Sequence, residues 1–372
     1  MKLVSVNRRL RRIHRGVREA RMLARAFKCP CQPVACHLIP IRRCNLSCAY
    51  CNEYDDHSNP VPTPEMLHRI DLLAALGTGI LTLSGGEPLL HPALDDLIRH
   101  IRSRGMIATV ITNGLLLSVD RIKQLNRAGL DHLQISIDNV SPDEVSKKSL
   151  KVLEKKLQWL AGHAEFDVTI NAVVGAETRQ PEDALVIARR ASALGFSTTV
   201  GILHDHRGQL RPLGLAERQI LEEVVAVGES AFDFAAYNRF QKNLARGRPN
   251  EWQCRAGSRY LYVCEDGMVH WCSQQRGYPG IPLDRYGRAD LEREHDSVKP
   301  CAPFCTVGCV HRVAQVDELR ENPLDTLVRW FPQEPGSSRG VPVSVKFLRW
   351  MFITNRQRGV FRKVALRLFG VK

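Results

Sequence analysis

Cys44, Cys48 and Cys51 stand in the segment Arg43-Cys-Asn-Leu-Ser-Cys-Ala-Tyr-Cys51, at C-x3-C-x2-C spacing. Three thiolates so close in sequence can hold one small metal centre and leave a fourth position open. A structural zinc site takes four side-chain ligands, commonly as paired C-x2-C or Cys/His groups, and no partner pair lies nearby. Soft sulfur ligation with one vacant position suits instead a 4Fe-4S cluster that binds a further molecule at its fourth iron. A second chemical feature follows downstream. Ile80 to Glu87 read as a short apolar strand ending in Gly85, Gly86 and Glu87, followed by Pro88; glycines there let a ligand approach the backbone or only relieve strain in a turn.

The elements that must position these residues repeat in a strand-helix pattern from Val34 onward. Apolar runs at Ala35 to Ile41, Ile80 to Leu83, Ile107 to Ile111, His132 to Ile137, Val168 to Val174 and Ser197 to Leu203 predict six buried strands. Helical periodicity fills the intervals at Met66 to Leu76, Leu94 to Ser103, Val119 to Ala128, Asp143 to Ala161 and Glu182 to Leu194. The fold class is therefore α/β, a partial (β/α)6 TIM-like barrel, whose ligand groups belong at the C-terminal strand ends. Thr112 and Asn113, Ser136 and Asp138, Asn171, and His204 with Asp205 and His206 occupy such ends. On residues alone, Thr112 and Asn113 also fit a turn, Asp138 the approach to a helix N-cap, and His204 to His206 an ordinary polar loop.

The cysteine spacing, with Tyr50 before the last cysteine, resembles the signature of the radical S-adenosylmethionine (SAM) superfamily. Gly85, Gly86, Glu87 and Pro88 match that family's GGEP sequence. The resemblance implies a cluster on Cys44, Cys48 and Cys51 that binds SAM, with the GGEP segment at the SAM amino group. It also puts Tyr50, Thr112, Asn113 and Asn171 at the cofactor, and Ser136 with Asp138 at its ribose or carboxylate. The implied reaction is one-electron cleavage of SAM to a 5′-deoxyadenosyl radical, which abstracts hydrogen from an unactivated carbon. His204 and Asp205 are candidates for proton transfer. An external electron donor of flavodoxin or ferredoxin type is expected.

A further cysteine group begins at Cys254, followed by Gly267 after twelve residues and Cys272 after four more; Cys301, Cys305 and Cys309 then recur at intervals of four. This resembles the SPASM or twitch extension of radical SAM enzymes, although the second half departs from the full SPASM spacing. The expectation is one auxiliary 4Fe-4S cluster in electron transfer, held by Cys254, Cys272 and two of Cys301, Cys305 and Cys309. A zinc site is the competing reading. Cys36 reads as a small apolar residue on the first strand, and Cys29 and Cys31, flanking Pro30, as a turn or as ligands of a further cluster.

Twelve cysteines in 372 residues do not read as a secreted disulfide framework, and no apolar run follows the basic start as a signal peptide would require. A reducing cytoplasm is expected. The charge is concentrated at the ends: residues 1–28 carry ten Lys/Arg and one Glu, and residues 339–372 carry nine Lys/Arg and no acid. Each end is +9, which leaves −4 of the total +14 for the rest. In the first end Val6, Leu10, Ile13, Val17, Ala20, Ala24 and Phe27 recur at helical spacing among arginines. Both ends resemble interfacial segments on an anionic membrane surface, or else helices that dock on the barrel and display solvated arginines. Nucleic acid is not expected, because no aromatic platform or RNA-binding module accompanies the charge. The organisation reads as a basic amphipathic helix (1–33), a core barrel (34–230), an auxiliary-cluster domain (231–325) and a basic aromatic tail (326–372). Only about 33 residues precede the first strand, so leader-peptide recognition is not expected within this chain. The substrate expectation is a lipid-linked or small molecule or a peptide; the alternatives are a ribosomal-peptide maturase with a separate leader-binding partner, and a non-catalytic cluster- or zinc-binding regulator.

Overall fold

The computed structural model describes residues 2–175, 178–204, 210–227, 240–322 and 326. Six parallel strands form the core: β1 (Ala35–Ile41), β2 (Ile80–Gly85), β3 (Ile107–Thr112), β4 (His132–Ser136), β5 (Asp167–Gly175) and β6 (Ser197–Leu203). Helices α2 (Thr63–Ala75), α3 (Leu94–Ser103), α4 (Val119–Ala128), α5 (Leu150–His163) and α6 (Asp183–Ala193) connect successive strands, and α1 (Lys2–Lys28) and α7 (Leu215–Val227) flank the set. The sheet runs on through β7 (Tyr260–Val263), β8 (Met268–His270) and β9 (Pro279–Pro282) in the order β6-β5-β4-β3-β2-β1-β7-β8-β9. β7 lies parallel to β1, and β8 and β9 are antiparallel. The second cysteine region is thus joined to the barrel through one continuous sheet. It closes with α8 (Arg288–Asp296) and α9 (Gly308–Glu321).

The two faces of the barrel strands are chemically opposite. Side chains alternate along a strand. Cys36, Leu38, Leu81, Leu83, Ala108, Val110, Leu133, Ile135, Val168 and Ile170 join the core shared with the helices. Burying each such Leu or Ile is worth about 2 kcal/mol. The inner face carries His37, Thr82, Ser84, Thr109, His132, Gln134, Ser136, Asn171 and Thr199, all lining one cavity. Packed α/β barrels fill that space with branched apolar residues. Polar inner faces leave a lumen suited to a polar ligand.

The strands fall where the apolar runs predict, and one helix does not. α5 begins at Leu150, seven residues after the predicted start at Asp143. The Asp143 Oδ1 atom accepts from the amides of Val145 and Ser146, which makes a tight turn after Pro142. The chain then returns, with the Asp138 amide donating to Lys148 O and the Leu150 amide to Asn139 O. The excursion carries Lys148 back to the end of β4.

α1 packs across the N-terminal ends of the strands. Arg15 is bonded to Asp131 O and Asp167, Arg18 to Asp131, and Arg11 to Glu165 at 2.8 Å. Its far end is fixed by Arg259, wholly buried, which donates to Ala26 O, Cys29 O and Gln32 O and pairs with Asp317 at 3.0 Å. No described helix is long and apolar enough to cross a membrane. The 230/231 boundary and the tail beyond Thr326 lie outside the described residues.

Candidate active site

The loop after β1 carries the first three cysteines and is pinned by backbone bonds. The Cys44 amide donates to Asp55 O and the Cys51 amide to Cys48 O, both at 3.0 Å, and the Ala49 amide donates to Val145 O. β2 ends against this loop. A Cβ on Gly86 would meet the carbonyl oxygens of Arg42 and Arg43 at 2.2 and 2.4 Å, and Gly85 has φ +113°. The two glycines therefore let β2 press against the backbone that leads into Cys44. Both also line the lumen. Pro88 is buried in the following turn and does not line it.

Glu87 is fully buried. Its carboxylate accepts from the Leu89 amide (2.9 Å), Thr112 Oγ1 (2.7 Å) and the Asn113 amide (2.8 Å). Burial raises its pKa, and those three hydrogen bonds oppose the rise. The carboxylate is thus committed to the β3–α4 turn. Thr112 and Asn113 belong to the same support. Asn113 Nδ2 donates to Asn45 Oδ1 at 2.7 Å and lies 3.7 Å from Cys44 Sγ, tying that turn to the cysteine loop.

Ser136 and Asn171 line the lumen, and Thr199 Oγ1 donates to Asn171 Oδ1 at 2.9 Å. Asp138 does not line the lumen. It accepts from the Tyr50 hydroxyl at 2.5 Å, pairs with Lys148 at 3.1 Å, and leaves Oδ1 buried without a partner beside a neighbouring pocket of about 210 Å³. Lys148 also bonds the Tyr50 hydroxyl and lines the lumen beside the cysteines. Its pKa is raised well above the ordinary lysine value: burial lowers it, and Asp138, Tyr50 and Cys48 more than offset that. This lysine has no signal in sequence, because the pair Lys147 and Lys148 within residues 141–149 looks like solvent-exposed loop.

Cys44, Cys48, Cys51, Tyr50 and Lys148 share a cavity of about 600 Å³ with the polar strand faces and with Tyr260, Val307, Gly308 and Cys309 of the C-terminal region. Such a volume is in the range of small-molecule sites, about 300–1,000 Å³. His204 is not part of it: its Nε2 lies 2.8 Å from Gln274 Nε2, at the junction between β6 and the extension. Asp205 and His206 lie outside the described residues. The lumen is lined by His37 and His132, both held neutral by burial with pKa lowered to about 4.

The sequence profile of the Radical SAM superfamily matches residues 38–204, from β1 through β6. Residues 38–204 are a radical SAM domain. A PqqA peptide cyclase from Ruegeria pomeroyi is 27% identical over 281 residues, covering 68% of this chain and 71% of the relative. Two solved structures share the fold. One is Streptococcus suis SuiB bound to S-adenosylmethionine, with TM-score 0.54, 16% identity, and coverage of 78% of this chain and 75% of SuiB. The other is anSMEcpe with bound AdoMet and a Cp18Cys peptide, with TM-score 0.50, 14% identity, and coverage of 89% and 100%.

The radical SAM family implies SAM and a 4Fe-4S cluster, and the cysteine loop fits them. One zinc with ~2.3 Å bonds would bring its sulfurs to within about 3.8 Å of one another. Among the described residues no three cysteine sulfurs lie within 4.8 Å; the group that does meet that distance is Cys264, Asp266 and His270. There the His270 Nδ1 atom accepts from the Gly277 amide at 3.0 Å, which leaves Nε2 protonated in the neutral ring and unable to ligate. Cys254 and Cys272 are buried, and burial pushes their pKa up to about 11 and about 12. Cys305 Sγ accepts from the Val307 amide at 3.4 Å, Cys301 is exposed, and Cys309 is bonded to the Tyr260 hydroxyl. Cys36 is buried in the outer core as expected, and Cys29 and Cys31 lie in the turn after α1.

Proposed function

We propose that this radical SAM enzyme abstracts hydrogen from a carbon of a peptide substrate, with one auxiliary 4Fe-4S cluster in the C-terminal region carrying the electron. The observation that carries the reading is the single lumen that has Cys44, Cys48 and Cys51 on one wall and Tyr260 and Cys309 of the second cysteine region on another. The peptide class is supported by the likeness to a PqqA peptide cyclase and to SuiB, which is also known bound to its precursor peptide SuiA. A separate partner would supply leader recognition, and a flavodoxin or ferredoxin would supply the electron. A SPASM- or twitch-like ligand set of Cys254, Cys272 and two of Cys301, Cys305 and Cys309 would hold the auxiliary cluster; burial raises the Cys305 pKa, and Cys254, Cys272 and Cys301 lie near enough to raise it further. We place the enzyme in the cytoplasm, at the face of an anionic membrane through its basic N-terminal helix.

Once bound, the cluster and SAM supply a carbon-centred radical. The chain's own groups do the remainder. Cys44, Cys48 and Cys51 would hold the cluster, and Glu87 fixes the turn that braces Cys44 through Asn113. Lys148 presents its ammonium in the lumen for the SAM carboxylate, while Ser136 and Asn171 offer hydrogen-bonding groups along the wall. His37 and His132, being neutral, add no charge that would compete for that carboxylate.

The test is anaerobic reconstitution with SAM and a strong reductant, followed by addition of deuterated peptides encoded beside the gene. Deuterium in 5′-deoxyadenosine, together with a mass change in the peptide, is the expected result. Transfer from a deuterated sugar or alcohol but from no peptide would overturn the substrate class.

A further inference from the structure

The N-terminal helix is oriented with its arginines inward. At 100° per residue, Arg11, Arg15, Arg18, Met22 and Ala26 lie along one side, which faces the barrel: Arg15 and Ala26 are buried, and the arginines bond Asp131, Glu165 and Asp167. The opposite side carries Ile13, Val17, Ala20 and Ala24. All four are exposed, Ile13 at 56% and Val17 at 45%, and Leu23 at the margin is exposed at 42%. Arg12, Arg21, Arg25 and Lys28 flank this stripe and are exposed. Arg21, Arg25 and Lys28 have no acidic partner among the described residues, so their charge is not spent on the fold. A helix that only docked by hydrophobic burial would have turned the other way.

We propose that this outward side of α1 is the surface that meets an anionic lipid bilayer, with Ile13, Val17 and Leu23 in the acyl boundary and the flanking cations at the headgroups; it rests on the peripheral placement proposed above. Charge complementarity selects the occupant. A second copy of the chain would set the same arginines against each other. Residues 339–372, with nine Lys/Arg and no acid, would repel this side as well. Nucleic acid would satisfy the cations and leave the apolar stripe in water. An anionic bilayer satisfies both at once.

The placement has a geometric consequence. α1 is bound at Asp131 and Asp167, where β4 and β5 begin, whereas the cysteine loop follows the C-terminal end of β1. Membrane contact and the cofactor loop therefore lie at opposite ends of the parallel barrel. The bilayer holds the enzyme and does not feed its lumen, which agrees with a peptide substrate arriving from the aqueous side.

The experiment is vesicle co-sedimentation of the full chain, comparing phosphatidylglycerol–phosphatidylcholine mixtures with phosphatidylcholine alone. The wild type is expected to bind the anionic vesicles only and to be released by salt. The Ile13→Asp/Val17→Asp variant, whose changes lie on an exposed face and whose folding is checked by its melting curve, should lose binding at least about tenfold. Arg21→Ala/Arg25→Ala/Lys28→Ala should lose it by a similar factor. A wild type that ignores all vesicles overturns both the peripheral placement and this assignment, and an acidic protein partner would then be sought. Undiminished binding by the Ile13/Val17 variant, with loss on truncation after residue 338, overturns only the assignment to α1. Equal binding to neutral vesicles overturns the anionic requirement.

Discussion

Around Cys44, Cys48 and Cys51 the chain is held by polar contacts, to Asp55 O, Val145 O and Asn113, whereas Cys254 and Cys272 sit in an apolar cluster with Ala256, Tyr260, Tyr262 and Val310. The first group borders the open lumen, and the second is buried among residues of β7 and α9. A loop held by its backbone keeps its shape whether or not its thiols are ligated. Thiols that burial keeps protonated behave as small apolar residues until a metal makes them thiolates. The first arrangement suits a centre that must admit a small molecule, and the second suits one that must be shielded.

The largest expected effect tests that contrast directly. Cys48→Ala should abolish 5′-deoxyadenosine formation to background and remove one cluster's iron. Cys272→Ala should remove iron from the second region and retain SAM cleavage to within about tenfold, while losing peptide product. Iron per chain, 5′-deoxyadenosine and product are measured on the same preparations. If Cys272→Ala silences SAM cleavage as completely as Cys48→Ala, the two groups are one functional unit and the contrast fails.

A smaller effect is expected at Lys148, which joins the cysteine loop to β4. Lys148→Met leaves Asp138 buried and unpaired, a loss of the kind that costs roughly 3 kcal/mol or more. Asp138→Asn in the same chain removes the stranded charge and should restore more than half of it. Denaturant unfolding of the two single variants and the double variant gives the coupling energy. Additive losses would mean that Lys148 acts outside the Tyr50–Asp138 pair, and its place at the cofactor would need another account.

The six strands and the C-x3-C-x2-C loop were legible because both rest on local pattern: apolar alternation in one case and ligand spacing in the other. The polar inner face was equally open to reading, since Thr82, Thr109, Gln134 and Thr199 stand at every second position beside apolar neighbours. Less legible were features made by chain reversal. Lys148 reaches the lumen only because Asp143 turns the chain back, and no periodicity reports that. The bracing role of the Glu87 carboxylate was not legible either, because Thr112 and Asn113, which fold over it, stand 25 and 26 residues away. The amphipathic pattern of α1 was visible, but not which side docks; Asp131, Glu165 and Asp167 at distant strand starts decide it.

The smallest effect concerns the lumen itself. His37 and His132 line it, with His37 Nδ1 3.3 Å from Ser84 Oγ and His132 Nε2 2.8 Å from Thr169 Oγ1. Burial lowers both from 6.5 to about 4. In the unfolded chain each takes up a proton as pH falls through 6.5; in the folded chain uptake waits until about 4. The stability each contributes is complete above pH 6.5 and is lost as pH falls from there towards 4, to an extent of up to about 3 kcal/mol per ring. His37→Gln/His132→Gln should flatten that part of the curve of unfolding free energy against pH. The same rings report on the contrast between the open and the buried cysteine region. If water fills the lumen, their NMR titrations should move up towards 6.5 in the cofactor-free protein and fall again when SAM occupies the space. Titration fixed near 4 in both states would mean that the inner wall is already sealed from solvent, and that the lumen beside the first cysteines is as closed as the surroundings of the second.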